Sequence, residues 1–268
     1  MTTKNEKLGV HNCTIRFNHG QHNEVLALDD IDLSLSEGDH VVVVGSNGAG
    51  KSTLLDIVCG RHIPDSGRIE IDGVSVTEQP EHVRAKRIGR VFQNPTAGTA
   101  ASMTIEENLS LASGRSERRG FRRVDRSRVD SFREQLALLG MGLEDRLDNE
   151  AGSLSGGQRQ ALALLMAAMS EPDVLILDEH TAALDPAAAE RVLELTEDLV
   201  RTQGLTALMV SHNMQHAIEV GNRTVMMHRG KVLFETSGQA RAQQTLESLV
   251  DRFRSLGAAV SDRTALST

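Results

Sequence analysis

Gly45-Ser46-Asn47-Gly48-Ala49-Gly50-Lys51-Ser52 puts a large share of this sequence's chemical potential into one short run. Its glycines let a loop curl until successive backbone N–H groups point inward, which is how a chain cradles phosphate oxygens. A helix starting near Lys51 adds the partial positive charge of its N-terminus. In such a loop Lys51 reaches the β- and γ-phosphates of a nucleotide, Ser52 offers a hydroxyl to Mg2+, and Thr53 bonds the α-phosphate. The pattern has few fixed positions and also occurs by chance in glycine-rich turns, so its context matters. Here the context agrees: a β-branched run, Val41–Val44, precedes it and a helical stretch follows.

Val174-Leu175-Ile176-Leu177-Asp178-Glu179 is a hydrophobic strand that ends in two carboxylates. Asp178 is placed to hold Mg2+ directly or through water. Glu179 is placed to polarise an attacking water as general base. Taken alone, the run serves equally well as a core strand that happens to exit into acidic residues. Leu154-Ser155-Gly156-Gly157-Gln158, shortly before it, is more specific.

With the phosphate loop and the acidic strand in place, Leu154–Gln158 resembles the signature of ATP-binding cassette (ABC) ATPases. The resemblance covers roughly residues 7–238. It implies that the signature opens a helix whose N-terminus faces the γ-phosphate held by a partner subunit, with Ser155 and the N–H groups of Gly156 and Gly157 as donors. Three more positions match the family in order. Gln93, in Val91-Phe92-Gln93-Asn94-Pro95, matches the Q-loop and is expected to touch Mg2+ or the water. Asp185, in Ala183-Leu184-Asp185, matches the D-loop that crosses to the other subunit. His212 matches the switch histidine that contacts the γ-phosphate. Phe17 matches the aromatic that stacks on adenine, with His19 and Val25 as neighbouring alternatives. One departure is His180, where proline usually follows the catalytic glutamate.

The elements that must position these residues follow from periodicity. Thr14–Phe17 and Val25–Leu35 read as strands of a small antiparallel layer. Val41–Val44, Arg68–Ile71, Ile88–Phe92, Val174–Leu177, Ala207–Val210, Thr224–His228 and Val232–Phe234 read as further strands. Between about 95 and 170 no strand is expected; Thr104–Ala112, Val129–Leu139 and Gly157–Ser170 read as helices. The expected fold is therefore α/β, with a small antiparallel β layer and a helical block inserted at about 95–170; the resemblance implies that this is a P-loop NTPase cassette with a RecA-like core and that the block is its helical subdomain. Residues 1–245 form one domain in this reading. Residues 246–268 supply an amphipathic helix on Leu246, Leu249, Val250, Phe253 and Leu256, then a loose tail.

Composition narrows the rest. The chain of 268 residues carries a formal net charge of −8 and no Trp or Tyr, which argues against a nucleic-acid binder. No apolar run reaches the roughly 18 residues that a membrane span needs. No signal-peptide core follows Met1–Lys7, so a cytoplasmic location is expected. Cys13 and Cys59 are far apart and read as buried free thiols. Ser113–Asp130 is the local exception to the acidic balance, with seven arginines against three acids. Arg118, Arg119, Arg122 and Arg123 are candidates there for contact with anionic lipid or a permease, against a plain solvated surface.

A kinase or GTPase would explain Gly45–Ser52 but not Leu154–Gln158 or His212. A chromosome-structure ATPase would need a long coiled coil between the two motifs, and no sustained heptads occur there. The expectation is an ATP- and Mg2+-dependent motor subunit acting as a homodimer or pseudo-dimer with transmembrane permease subunits, at the cytoplasmic face of the membrane. Glu-His-Thr-Ala-Ala-Leu-Asp-Pro and Ser-His-Asn-Met-Gln-His-Ala are similar to importers that use a solute-binding protein, with small solutes such as amino acids. The alternatives are an exporter motor and a non-transport ABC ATPase.

Overall fold

The computed structural model describes residues 5–114 and 126–255. The core of the arginine-rich segment, with Arg118, Arg119, Arg122 and Arg123, and the expected tail 258–268 lie outside them. The chain divides into two compact units, Met1–Ala85 with Gly204–Thr268, and Lys86–Gln203.

The first unit holds two sheets. Strands β1 (Glu6–Phe17), β2 (Val25–Ser36), β4 (Ser66–Ile71) and β5 (Val74–Ser75) form an antiparallel layer in the order β2-β1-β4-β5. β1 is much longer than its alternation suggests. Leu8, Gly9 and Val10 are buried in succession, Asn12 has a φ of 50°, and the pairing with β2 shifts register on both sides of Cys13. Those irregularities erase the period of two that sequence reading relies on.

In the second sheet, β3 (His40–Gly45) lies parallel to β8 (Ala207–Val210) on one side and to β9 (Arg223–His228) on the other; β10 (Lys231–Ser237) returns antiparallel to β9. Val41, Val42, Val43 and Val44 are all fully buried, as expected of a strand covered on both faces. Helix α1 (Lys51–Cys59) follows β3 directly. Short α2 (Glu81–Arg84), α7 (His216–Glu219) and α8 (Gly238–Ala242), and the terminal α9 (Leu246–Ser255), complete this unit. α9 buries Leu249, Val250 and Phe253 and exposes its charged face; Leu256 of the expected helix lies outside the described residues. Cys13 and Cys59 are free and buried, and burial pushes the Cys13 thiol up to about 11, which leaves it unreactive.

The second unit pairs β6 (Ile88–Val91) with β7 (Val174–Asp178) in parallel and adds helices α3 (Ile105–Ser113), α4 (Arg126–Leu139), α5 (Gly156–Met169) and α6 (Pro186–Gln203). α3 starts at a capping box between Thr104 and Glu107. Between 95 and 170 the described residues form helices and no named strand, as expected. Among the described residues no helix is long and apolar enough to cross a membrane.

Candidate functional site

In the first unit the phosphate loop joins β3 to α1. A side chain on Gly45 would place its Cβ 2.1 Å from the Met227 carbonyl oxygen. Gly50 has a φ of 96°, and a Cβ there would lie 2.6 Å from the Ala27 oxygen. Both glycines are thus required by close approach of neighbouring backbone. The loop is braced on the β9–β10 turn: Gly230 N–H donates to Ala49 O at 3.0 Å, and Ser46 Oγ lies 3.4 Å from His228 Nδ1. Lys51 is buried, and its ammonium donates to Gly45 O at 2.8 Å and Ser46 O at 3.2 Å. The lysine therefore closes the loop on itself from inside. Asn47, Gly48 and Ser52 are exposed and Ala49 is buried; Thr53 is half-buried in the first turn of α1.

His212 is exposed just after β8. Its turn is built by Ser211, whose N–H donates to Val43 O at 3.0 Å and whose Oγ accepts from Asn213 N–H at 3.0 Å. Ser211 Oγ also lies 2.9 Å from His216 Nδ1. Burial holds the His216 imidazole below its ordinary value, opposed by Glu219 and aided by His212. Phe17 is half-buried at the end of β1 and meets His62 edge-on, with ring centroids 5.1 Å apart. His19 lies 3.3 Å from Asp65, and Val25 is 53% exposed.

In the second unit the carboxylates stand at the end of β7. Arg90 Nη2 donates to Asp178 Oδ2 at 2.7 Å, and the guanidinium carbon sits 5.0 Å from the centre of the Phe92 ring. Glu179 is half-buried and has a φ of 45°, a left-handed conformation uncommon for a residue with a side chain. His180 is fully buried behind it. Thr196 Oγ1 gives its proton to Val192 O at 2.8 Å, so at 2.9 Å it accepts from His180 Nε2–H. The departure from proline at His180 is therefore a polar pin between the strand exit and α6. Ala182 N–H donates to Glu179 O at 2.9 Å and tightens the turn.

Gln93 is exposed on the loop after β6, which is tied to α5 where Gln160 Nε2 donates to Phe92 O at 2.9 Å. Asp185 is exposed, and its Oδ1 accepts from Ala188 N–H at 3.0 Å, capping α6 ahead of Pro186 at the first helical position. Leu154 is buried. Ser155 is the N-cap of α5 and forms a capping box with Gln158, whose Nε2 also donates to Met141 O at 3.2 Å. By position in the first turn, the N–H groups of Gly156 and Gly157 have no intrahelical acceptor. A Cβ on Gly157 would fall 2.8 Å from that of Ala188, and one on Gly156 would lie 3.3 Å from Leu184 Cδ2. The two glycines let the start of α5 lie against the Asp185 turn.

The first unit thus gathers the phosphate loop, Ser52, Thr53, Phe17 and His212. The second gathers Gln93, Asp178, Glu179, Asp185 and Leu154–Gln158. Sequence reading missed the supports: Arg90, Gln160, Thr196, Ser211 and His216. Arg90, Gln160 and Thr196 belong to no recognisable motif; Ser211 and His216 lie in the Ser-His-Asn-Met-Gln-His-Ala run, but nothing in the sequence shows which groups they hold.

The ABC transporter family profile matches residues 28–182. A tyrosine transport ATP-binding protein from Clostridioides difficile is 38% identical, over 88% of this chain and 93% of its own length. A methionine import ATP-binding protein from Streptococcus agalactiae is 30% identical, over 97% of this chain and 72% of its own. Among solved structures, a dimeric ATP-binding cassette in a post-hydrolysis state with ADP and Pi has a TM-score of 0.72 at 27% identity, covering 86% of this chain and 98% of that one. An ABC transporter cassette in its ADP conformation has a TM-score of 0.75 at 25% identity, covering 93% and 98%. The chain belongs to the ABC transporter family, as an ATP-binding and ATP-hydrolysing motor subunit with the mixed parallel and antiparallel α/β fold of that cassette.

Proposed function

We propose that the chain powers import of an amino acid or a similarly small solute. It works as a pair of ATPase subunits held at the cytoplasmic face of the membrane by transmembrane permease subunits, with an extracytoplasmic binding protein delivering the solute. The observation that carries this reading is that the relatives matched along most of the chain are named for tyrosine transport and methionine import.

Within this reading the backbone of Gly45–Gly50 and the Lys51 ammonium hold the phosphates, Thr53 bonds the α-phosphate, and Phe17 stacks on adenine. Ser52, Gln93 and Asp178 would hold Mg2+. They offer a hydroxyl, an amide and a carboxylate, an all-oxygen set that suits a hard cation. Asp178 fits the role because the bond it accepts from Arg90 is to Oδ2, so Oδ1 would be the atom offered to the ion. When bound, the ion neutralises charge on the β- and γ-phosphate oxygens. Glu179 takes the proton of the attacking water, and its left-handed backbone turns the side chain away from the direction the strand would give it. His212 donates to the γ-phosphate. Ser155 and the N–H groups of Gly156 and Gly157 offer donors to the γ-phosphate held by the other subunit, with Leu154 and Gln158 fixing that helix start and Asp185 crossing beside it.

Glu179→Gln keeps shape and hydrogen bonding but removes the base. Hydrolysis is expected to fall about 100- to 10,000-fold, while MgATP still binds and an ATP-bound dimer accumulates in light scattering. Turnover near that of the wild type would remove Glu179 from the role. Reconstitution with the permease and binding protein tests direction: ATP-dependent uptake of labelled tyrosine or methionine supports import, and efflux alone overturns it.

A further inference from the structure

Arg90 is not part of any motif, yet it stands against a residue that is. β6 and β7 run parallel with Arg90 opposite Ile176. Side chains two apart share a face of a strand, so Arg90 and Phe92 lie on the face that carries Ile176 and Asp178. The guanidinium sits over the Phe92 ring, which limits the directions it can take. It donates to Asp178 Oδ2 at 2.7 Å, and the two side chains are only 10% and 18% exposed. A charge pair this sheltered is screened far less than a surface pair, so the fixed positive charge lowers the pull of the Asp178 carboxylate on any other cation.

We propose that Arg90 is a built-in counter-charge for Asp178. It orients the carboxylate through Oδ2 and keeps divalent cations off Oδ1 while no nucleotide is bound. The triphosphate then tips the balance, because it brings several negative charges and its own oxygen ligands. Metal and nucleotide are thereby taken up together, and the empty subunit does not hold a stray divalent ion. This rests on the reading of Asp178 as a metal ligand and adds to it a positioning residue that sets when the ligand is available.

The test is Mn2+ binding to the nucleotide-free protein, followed by electron paramagnetic resonance of the free ion. Arg90→Gln keeps a hydrogen-bond donor for Oδ2 without the charge; Arg90→Met removes both. The two variants are expected to bind Mn2+ at least ~10-fold more tightly than the wild type, as loss of a sheltered like charge requires. Arg90→Lys keeps the charge and is expected to stay within about threefold of the wild type. Adding Asp178→Asn to Arg90→Gln should abolish the gain. A merely structural role would leave nucleotide-free Mn2+ affinity unchanged or weaker in every variant. If Arg90→Gln melts like the wild type and binds Mn2+ no more tightly, the counter-charge is refuted. If Arg90→Gln and Arg90→Met both fail to fold, the wild type decides: nucleotide-free Mn2+ binding that Asp178→Asn abolishes overturns the proposal, and Mn2+ binding that Asp178→Asn leaves unchanged without nucleotide but weakens with ATP upholds it. The underlying reading has its own outcome: Mg2+-dependent ATP binding that survives Asp178→Asn shows that Asp178 is not the ligand, whatever Arg90 does.

Discussion

Arg84 should be worth more to this protein than any other side chain outside the motifs. It ends the short helix α2, is fully buried, and spends four N–H bonds on backbone carbonyls. Nη1 donates to Ile57 O at 2.5 Å and Val58 O at 2.9 Å, Nη2 to Thr77 O at 2.6 Å, and Nε to Gln79 O at 2.9 Å. Ile57 and Val58 belong to the last turn of α1, so the guanidinium serves as that helix's charged C-terminal cap. The cap needs room: a Cβ on Gly60 would lie 2.9 Å from Arg84 Nε. Burial lowers the guanidinium from its ordinary value without discharging it. Arg84→Met keeps most of the volume and removes all four bonds, although the Ile57 carbonyl still accepts from Gly60 N–H at 3.3 Å. Bonds to a charged donor are worth ~1.5–3 kcal/mol each, but they share one group, and the variant is spared the cost of burying a charge. A net loss of about 3–5 kcal/mol follows, or roughly 10 °C in Tm for a chain of this size. Because the chain lacks Trp and Tyr, far-ultraviolet circular dichroism in urea is the suitable assay. ATP affinity should fall as well, since α1 presents Lys51, Ser52 and Thr53 from its other end. Arg84→Lys should recover only part of both losses. A shift below about 1 kcal/mol in Arg84→Met would refute this account of the cap.

His216 should make stability depend on pH. Its folded value lies below the unfolded one, so its contribution is complete above about pH 6.5 and is lost as pH falls through the depressed folded value. Tm measured from about pH 7.5 to 5.5 should therefore drop more in the wild type than in His216→Gln; parallel curves would discount the residue. Mixing Lys51→Ala subunits with Ser155→Arg subunits should restore part of the ATP-dependent dimerisation that each lacks alone, because a mixed dimer confines both lesions to one shared site. No dimer in any combination, with Glu179→Gln and ATP also tried, would count against a shared site.

What could be read without coordinates was whatever repeats a period or a spacing. Val41–Val44 and Val174–Leu177 are short continuous apolar runs typical of a covered parallel strand, and both are buried as expected. Gly45–Ser52 and Leu154–Gln158 announce themselves because glycines within them meet neighbouring atoms too closely for a side chain, which leaves few residue types open. The first part of β1 was invisible because Asn12 and the bulges break its alternation. α6 has a good start signal in Asp185 and Pro186, but the same turn also matches a motif with its own chemical reading, so the signal does not separate a helix start from a site. Arg84, Arg90 and Gln160 were illegible in principle. Charged and amide residues usually lie on the surface, and only the fold shows which carbonyl or carboxylate each one meets.

The missed residues share a logic with the motifs they serve. A group that must meet a ligand has to stay accessible, so it cannot be held by its own burial. In this chain the holding falls on close neighbours in the sequence. Exposed His212 follows Ser211, which is buried and bonded to Val43 O. Exposed Gln93 follows Phe92, whose carbonyl is caught by buried Gln160. Half-buried Glu179 precedes His180, which is fully buried and pinned to Thr196. A left-handed residue costs of order 1–3 kcal/mol, and a satisfied buried hydrogen bond on the next residue is an effective way to offset it. The proline usual at position 180 would stiffen the same turn through its ring; the histidine does it through α6. His180→Ala should then relax the Glu179 backbone and, with Glu179 as the proposed base, lower kcat far more than it raises the KM for ATP, whereas a comparable loss in both would mean that His180 serves general stability and not Glu179.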